Sequence, residues 1–419
     1  MNDASQGKRS HAMGSAFLRL WTFETISLFG TQITAITIPL TAIITLRATP
    51  LELGILAGAR TAPWLLATLP AGVWVDRRSR RQTIVLMNLV QATLLALIPA
   101  LAAVHALTMA VLISIAFVTG CAALPLRQAM HAIIPTLVPL EALDRANGRL
   151  AASESLAEVA GPGIGGWLAA VLGPPTAILA DVVSFVVAAL GIRRLPRDDQ
   201  RPASEGTGIG EGIRFTLGNV WLRAFAIEAA SMNLGWAVFD AVLAAFAVRI
   251  LGLEPYVLGI VFGAASLGAV VGSAASPFLA RVLGLGRTIL WASAVGGIVL
   301  LLIPVFARVG HPTASAALLG ICLFVHNFAG VVSGVEVAAI RQAVTPQRVF
   351  GRAYAAYLLI AMGIAPLGGL AAGVVAATAT YRVALLVGAT CAGLAWLWLF
   401  TSPIRVAVSL ETLVGPRQG

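Results

Sequence analysis

The sequence predicts an all-α integral membrane protein, with twelve transmembrane helices in two six-helix bundles related by a pseudo-twofold axis. Three observations carry this. Of 419 residues, 58% are apolar and 11% charged, whereas soluble domains average about 45–50% apolar and about 25% charged. The apolar residues fall in runs long enough to cross a bilayer, which takes about 20 residues per helix. The chain also matches itself at a fixed offset, so one six-span unit occurs twice.

The runs place spans at 17–46, 53–74, 83–103, 107–133, 150–172, 175–195, 218–249, 256–280, 287–307, 313–338, 350–376 and 381–402. The first is much longer than the apolar core of a signal peptide, about 7–15 residues, so it is expected to remain as the first span. The first and seventh runs exceed a straight crossing, and tilted or capped ends are expected there. The longest polar break, RRLPRDDQRPASEGTGIGEGIR at 193–214, is rich in charge, proline and glycine. It divides the chain into a first bundle at 1–195, a cytoplasmic linker at 196–217 and a second bundle at 218–419.

The charge distribution orients the spans. Of the 28 Lys and Arg residues, Arg47, Arg249, Arg308 and Arg382 fall on the side away from the N-terminus, and Arg60 and Arg127 fall inside spans. The rest share the side of the N-terminus, which by the positive-inside bias is cytoplasmic. Both termini are then cytoplasmic, and the plasma (inner) membrane is the expected location. Lys8 is the only lysine, and no basic stripe is interleaved with aromatics, so the net charge of +10 reports topology and no nucleic-acid partner is expected. Cys121, Cys322 and Cys391 lie in separate apolar runs without CxxC spacing and read as small core hydrophobes; no metal or cofactor is expected.

The repeat is explicit. At an offset of 204, FLRLWTFETIS (17–27) falls on WLRAFAIEAAS (221–231), matching Arg19 with Arg223 and Glu24 with Glu228. The same offset matches Ala71 with Ala275, Arg77 with Arg281, Pro162 with Pro366 and Gly165 with Gly369. Arg127-Gln128-Ala129 recurs as Arg341-Gln342-Ala343 at an offset of 214, because the loop that follows is ten residues shorter in the second copy. Parallel repeats of this kind enclose a central cavity at their interface.

Between spans two and three the chain reads AGVWVDRRSRR, Ala71 to Arg81. Gly72 permits close backbone approach at the end of a span, Asp76 can face the positive end of a neighbouring helix, and the arginines can pair with carboxylates or lipid phosphates. Arg78 and Arg80 alone would be an anchor of the kind any membrane protein carries. The spacing Gly72-x-x-x-Asp76-Arg77-x-x-Arg80-Arg81 is more specific. In span five, Ala157-x-x-x-Gly161-Pro162-x-x-Gly165-Gly166 combines a groove of small residues with a proline that removes a backbone hydrogen bond and bends the helix.

The first spacing, in this loop of a twelve-span, two-copy chain, resembles the signature loop of the major facilitator superfamily, and the resemblance covers residues 15 to 402. It implies the major facilitator fold, with Asp76 and Arg77 latching the halves on the cytoplasmic side when the transporter faces outward. Ser79 stands where the family usually has glycine, and Trp74 where leucine is common. The second copy keeps Arg281 but has Ala280 in place of the aspartate, so the latch is expected in the first half. The span-five pattern resembles the motif of drug-exporting antiporters, although Ala157 replaces its first glycine, and implies a bend that seals against leak. LVPLEALDRANG (137–148), ADVVSFVVAAL (180–190) and FGRAYA (350–355) are similar to segments of macrolide and enterobactin-type siderophore exporters.

Ionisable residues inside spans cost about 2.5–3.5 kcal/mol each on insertion scales and need a partner or a wet cavity. They are Glu24, Arg60, Arg127, Glu154, Glu158, Asp181, Glu228, Asp240 and Glu336. Glu154 and Glu158 are one turn apart, and Arg127 lies at similar depth, so a buried cluster is expected that serves as a clamp or as part of a relay. Asp240 and Arg60 lie at a common depth in spans seven and two. Desolvation and a nearby arginine act in opposite senses on a carboxyl group's proton affinity, which makes Asp240 the foremost candidate for a coupling carboxylate. Glu24 and Glu228 share that possibility or snorkel toward Arg19 and Arg223. Asp181 and Glu336 read as packing groups, with Glu336 near Arg341. Phe23, Gln32, Asn233, Trp236, Phe239, His326 and Asn327 are the expected cavity lining, a mixture suited to a bulky amphipathic solute.

These readings converge on a monomeric proton-coupled antiporter that exports a hydrophobic or amphipathic small molecule, with drug resistance as a consequence. Its expected partners are the lipid bilayer, the small-molecule substrate and protons. An uptake carrier or lysophospholipid flippase on the same fold is the alternative. An enzyme or ATP-driven pump is not expected, because the chain has no GxxxxGK[ST], HExxH or GxSxG pattern.

Overall fold

The computed structural model describes residues 14–67, 78–195 and 209–404. Two sets of six helices follow one another: α1 (Ser15–Thr45), α2 (Pro50–Leu66), α3 (Arg80–Ala103), α4 (Met109–Leu137), α5 (Leu143–Leu172) and α6 (Pro174–Ile192), then α7 (Val220–Ile250), α8 (Pro255–Leu283), α9 (Leu285–Phe306), α10 (Pro312–Val344), α11 (Phe350–Thr378) and α12 (Tyr381–Thr401). Eleven of them are long and apolar enough to cross a membrane. The twelfth, α2, is described over 17 residues and packs between α4 and α11. Gly72, Asp76 and Arg77 of the signature loop lie outside the described residues.

Local chemistry sets the helix starts. Thr49 and Glu52 form a reciprocal capping box with Pro50 at the first helical position of α2. Asn219 Oδ1 accepts from the amides of Trp221 and Leu222 at 2.9 and 3.2 Å to open α7. Ser79, where the family usually has glycine, caps α3 by accepting from the Gln82 amide. Proline also opens α6, α8 and α10. Large apolar side chains such as Trp167, Leu190, Phe278 and Trp291 remain exposed on the outside of the bundle, as lipid-facing positions do.

The repeat is written into the backbone as well. α1 and α7, the two overlong runs, both end in π-turns, at Thr41–Thr45 and Phe246–Ile250. The residues just beyond take left-handed conformations, Arg47 at φ 50° and Gly252 at φ 70°, and Ala48 and Leu253 close equivalent hydrogen bonds to Ala42 and Ala247. The register is one residue beyond 204, so a single insertion separates these turns from the matched helix starts.

The 193–214 break is not wholly irregular. Ile209–Gly218 is a helix that docks on the start of α11: Glu211 pairs with Arg352, and Thr216 Oγ1 donates to the Ala353 carbonyl at 3.3 Å. The FGRAYA segment is thus its docking site, and residues 209–218 pack with the second half rather than spacing the two.

The core is unevenly shared. At the arginine-poor face, where α1 and α7 end, one cluster joins Ile36, Leu40 and Ala169 of the first half to Val242, Phe246 and Leu258 of the second. At the arginine-rich face the clusters belong to one half each, around Phe17 and Ile133 in the first and Phe225 and Ile340 in the second. The halves are therefore fused at the arginine-poor end and separately cored at the other.

Candidate functional site

Two glycine seams make that fusion. In α2 against α11, a Cβ added at Gly54 would stand 2.5 Å from Gly373 Cα, and one at Gly58 would stand 3.1 Å from the Pro366 carbonyl oxygen. In α5 against α8, Gly166 faces Gly259 and the Pro255 carbonyl, and Gly263 faces the Val159 carbonyl. The span-five pattern is divided between two neighbours: Gly161 and Gly165 receive Gln32, Ile33 and Ile36 of α1, while Gly166 receives α8. Small residues let these backbones meet directly.

Between the seams lies a cavity of about 530 Å³ at the junction of the halves. α1 supplies Gln32, Ile36 and Pro39; α2, Leu53 and Arg60; α5, Glu158 and Pro162; α7, Trp236 and Asp240; α8, Phe262 and Ser266; and α10, Leu323 and Asn327. The wall is chiefly apolar. Arg60 and Asp240 come from opposite halves and act on each other electrostatically. Asp240 is exposed to the cavity. A second charged group lies in the first half alone: Arg127 and Glu154 act on both Glu24 and Glu158. Arg127 also lies over the Trp64 ring at 5.5 Å.

A side cavity of about 270 Å³ within the second half holds Glu228, Asn233, His326 and Tyr357. Trp236 lines both cavities and stacks on His326, their centroids 4.6 Å apart. His326 Nδ1 lies 2.7 Å from the Gly296 carbonyl, and Asn233 donates to the Ala361 carbonyl at 3.0 Å. Glu228 accepts from the Ser293 hydroxyl and does not reach toward Arg223. Ser293→Ala would strip a buried carboxyl group of its donor, and thermal unfolding in detergent should show a loss of about 1–3 kcal/mol.

Other expected site residues fall elsewhere. Phe23 does not line the cavity; its ring packs on Gly191 of α6. Phe239 is fully buried beside Gly388 of α12 and also leaves the lining. Asn327 is in the wall and donates to the Ala265 carbonyl at 3.0 Å. Arg80 opens α3, and Arg81 Nη1 donates to the Leu195 carbonyl at 2.7 Å, tying α3 to the end of α6 within one half. Arg19 likewise turns to the end of α6, at the Arg194 carbonyl, and away from Glu24. Asp181 accepts from Ser184 at 3.0 Å, and Glu336 accepts from Ser276 at 2.6 Å. Arg341 stacks on Tyr354 and Tyr357 at 4.7 and 4.2 Å. Many lining residues missed in the sequence, Pro39, Ala241, Ala244, Phe262 and Leu323 among them, have no pattern that separates them from their apolar neighbours.

Two six-helix repeats meeting over a central cavity, with opposite charges from the two halves in its wall, give this chain the fold of the major facilitator transporters. The chain belongs to the family described as transmembrane secretion effector, which it matches over residues 12–413. It is 28% identical over 357 residues to the multidrug efflux pump Tap of Mycolicibacterium fortuitum, covering 80% of this chain and 83% of that one. It is 32% identical over 179 residues to the Mycobacterium tuberculosis protein of the same name, covering 39% of this chain and 42% of the relative, so that match spans less than half the relative's length. Among solved structures, a bacterial homologue of the iron transporter ferroportin aligns over 92% of this chain and 98% of its own at 18% identity. The TM-score is 0.74 to its inward-facing form and 0.55 to its outward-facing form, the latter at 16% identity.

Proposed function

We propose that this transporter is a proton-coupled exporter of a hydrophobic or amphipathic small molecule, working as a monomer by rocking residues 1–195 against the second half. The carrying observation is the Arg60–Asp240 pair: two opposite charges, one from each half, in the wall of a chiefly apolar cavity. Movement between the halves changes their separation, and with it the proton affinity of the carboxyl group. The arginine-rich face is the cytoplasmic one by the positive-inside bias, so both termini are cytoplasmic and the cavity is reached from the inner side of the plasma membrane. The glycine seams close the outer side. The better superposition on an inward-facing relative supports this assignment, and the resemblance to efflux pumps supports export.

From the arginine-rich end inward the first half carries Glu24 and Glu154 and then Glu158, which stands in the cavity wall. That order favours neutral or cationic amphipaths of the drug, macrolide or siderophore kind over anions. Expression in an exporter-deficient bacterium should raise the tolerated concentration of lipophilic cations and macrolides in a drug panel, and unchanged tolerance throughout would remove the export reading. Trp236→Ala should merge the two cavities and shift the panel several-fold toward bulkier compounds; an unaltered profile would show that the indole does not bound the substrate site.

A further inference from the structure

Among the described residues, a polar tie crosses between the halves at the arginine-poor face, and its donor has no counterpart in the other repeat. Arg249 is the fourth residue of the π-turn that ends α7; the fourth residue of the matching turn in α1 is Ile44. Arg249 Nη1 donates to the Ala48 carbonyl at 2.7 Å and Nη2 to the Ile43 carbonyl at 2.9 Å, both in the first half. Nη1 also lies 2.9 Å from the Tyr381 hydroxyl at the start of α12. The Ile43 carbonyl belongs to the last turn of α1, where a helix leaves its last acceptors unfilled and carries the negative end of its dipole, and the Ala48 carbonyl lies in the link to α2. The guanidinium fork suits such a pair of acceptors, and a lysine ammonium on its single stem cannot span them in the same way.

Resting on the reading of the chain as a rocking transporter, we propose that Arg249 is the latch of the outer gate. It holds the second half to the end of α1 while the cavity is closed on that side, and it must release both carbonyls before the cavity opens there. In the open arrangement water takes the place of the fork, so loss of Arg249 penalises only the closed one. Arg382 supplies the contrast. Its Nη1 and Nη2 cap the Pro304 and Ala307 carbonyls at 2.6 and 2.8 Å, but donor and acceptors all belong to the second half. Arg382 is a structural cap, whereas Arg249 joins two bodies that move. The signature loop places the expected inner latch in the first repeat, and Arg249 places the outer one in the second.

The test is a distance measurement on the purified full chain in detergent without substrate, with the three native cysteines replaced by alanine. Spin labels go at Val104 and Val309, exposed residues beyond α3 and α9 on opposite halves. The parent should give chiefly one short distance. Arg249→Ala should raise a longer-distance population by about tenfold, the order expected for losing a charge-assisted bond; Arg249→Lys should fall between, and Arg382→Ala should match the parent. A parent-like distribution in Arg249→Ala, or an equal shift in Arg382→Ala, would overturn the latch. Should Arg249→Ala not purify, Arg249→Lys decides by the same distances. The readout needs no transport: a shift in a chain that exports nothing keeps the latch and removes the exporter, and no shift in an active exporter removes the latch alone.

Discussion

Asp240→Asn abolishes gradient-driven accumulation and leaves the chain folded, inserted and able to pass solute downhill. The expectation follows from where the two charges stand: Asp240 on α7 and Arg60 on α2 face one cavity from opposite halves. Any rocking motion alters their separation, and a carboxyl group's proton affinity follows its distance from a guanidinium. Asparagine preserves size and hydrogen-bonding capacity but carries no exchangeable charge, so the conformational cycle loses its link to the proton. The coupling lost is of the size typical between linked sites, about 1–3 kcal/mol or about 5–150-fold. Inverted membrane vesicles with a fluorescent, permanently charged quaternary lipophilic amine read this directly. A variant that concentrates the amine as well as its parent does would remove Asp240 from the mechanism and pass the same test to Glu24, Glu154, Glu158 and Glu228.

The second large effect is expected at the α2–α11 seam. Gly54→Val places a branched side chain where a single Cβ already stands 2.5 Å from Gly373 Cα and 2.6 Å from the Gly369 carbonyl oxygen. These are backbone atoms and cannot turn aside. Overpacking of this kind costs about 1–3 kcal/mol and occasionally more, and the penalty applies only while the seam is closed. The equilibrium between closed and open outer faces shifts by the same amount, about 5–150-fold. Transport stalls, because a carrier that cannot close one side cannot complete a cycle. With the native cysteines replaced, Ala244→Cys in the cavity wall should become several-fold more reactive from outside toward a membrane-impermeant maleimide. Unchanged reactivity with full transport would mean that the seam opens less than the two-body account requires.

Much of this was legible in the residues, for identifiable reasons. Charges are so rare in apolar spans that Arg60 and Asp240 stood out at a shared depth, and glycine spacing in span five marked a helix contact. The repeat was visible because Arg19, Glu24, Pro162 and Gly165 recur at one offset. What escaped has a physical cause too. A helix apolar on every side carries no stripe to show which face meets lipid and which meets the cavity, so Phe23 and Phe239 were indistinguishable from Trp236, which does line it. The helix at 209–218 hides in a polar, glycine-rich break and is held by its docking on Arg352 and Ala353. Arg249 read only as one of the few outer arginines, because its acceptors in the other half are main-chain carbonyls, which leave no residue type to recognise.

The central claim is that outward movement of a small amphipathic solute is tied to inward movement of protons through one chain. Purified protein in liposomes, with the arginine-rich face outward and the lumen acidified, tests it most directly by following a permanently charged quaternary lipophilic amine and lumenal pH together. The account predicts amine accumulation inside, alkalinisation of the lumen at a fixed ratio to it, and loss of both in Asp240→Asn. Amine accumulation that persists with the pH gradient collapsed, or lumenal alkalinisation indifferent to the amine, would contradict it.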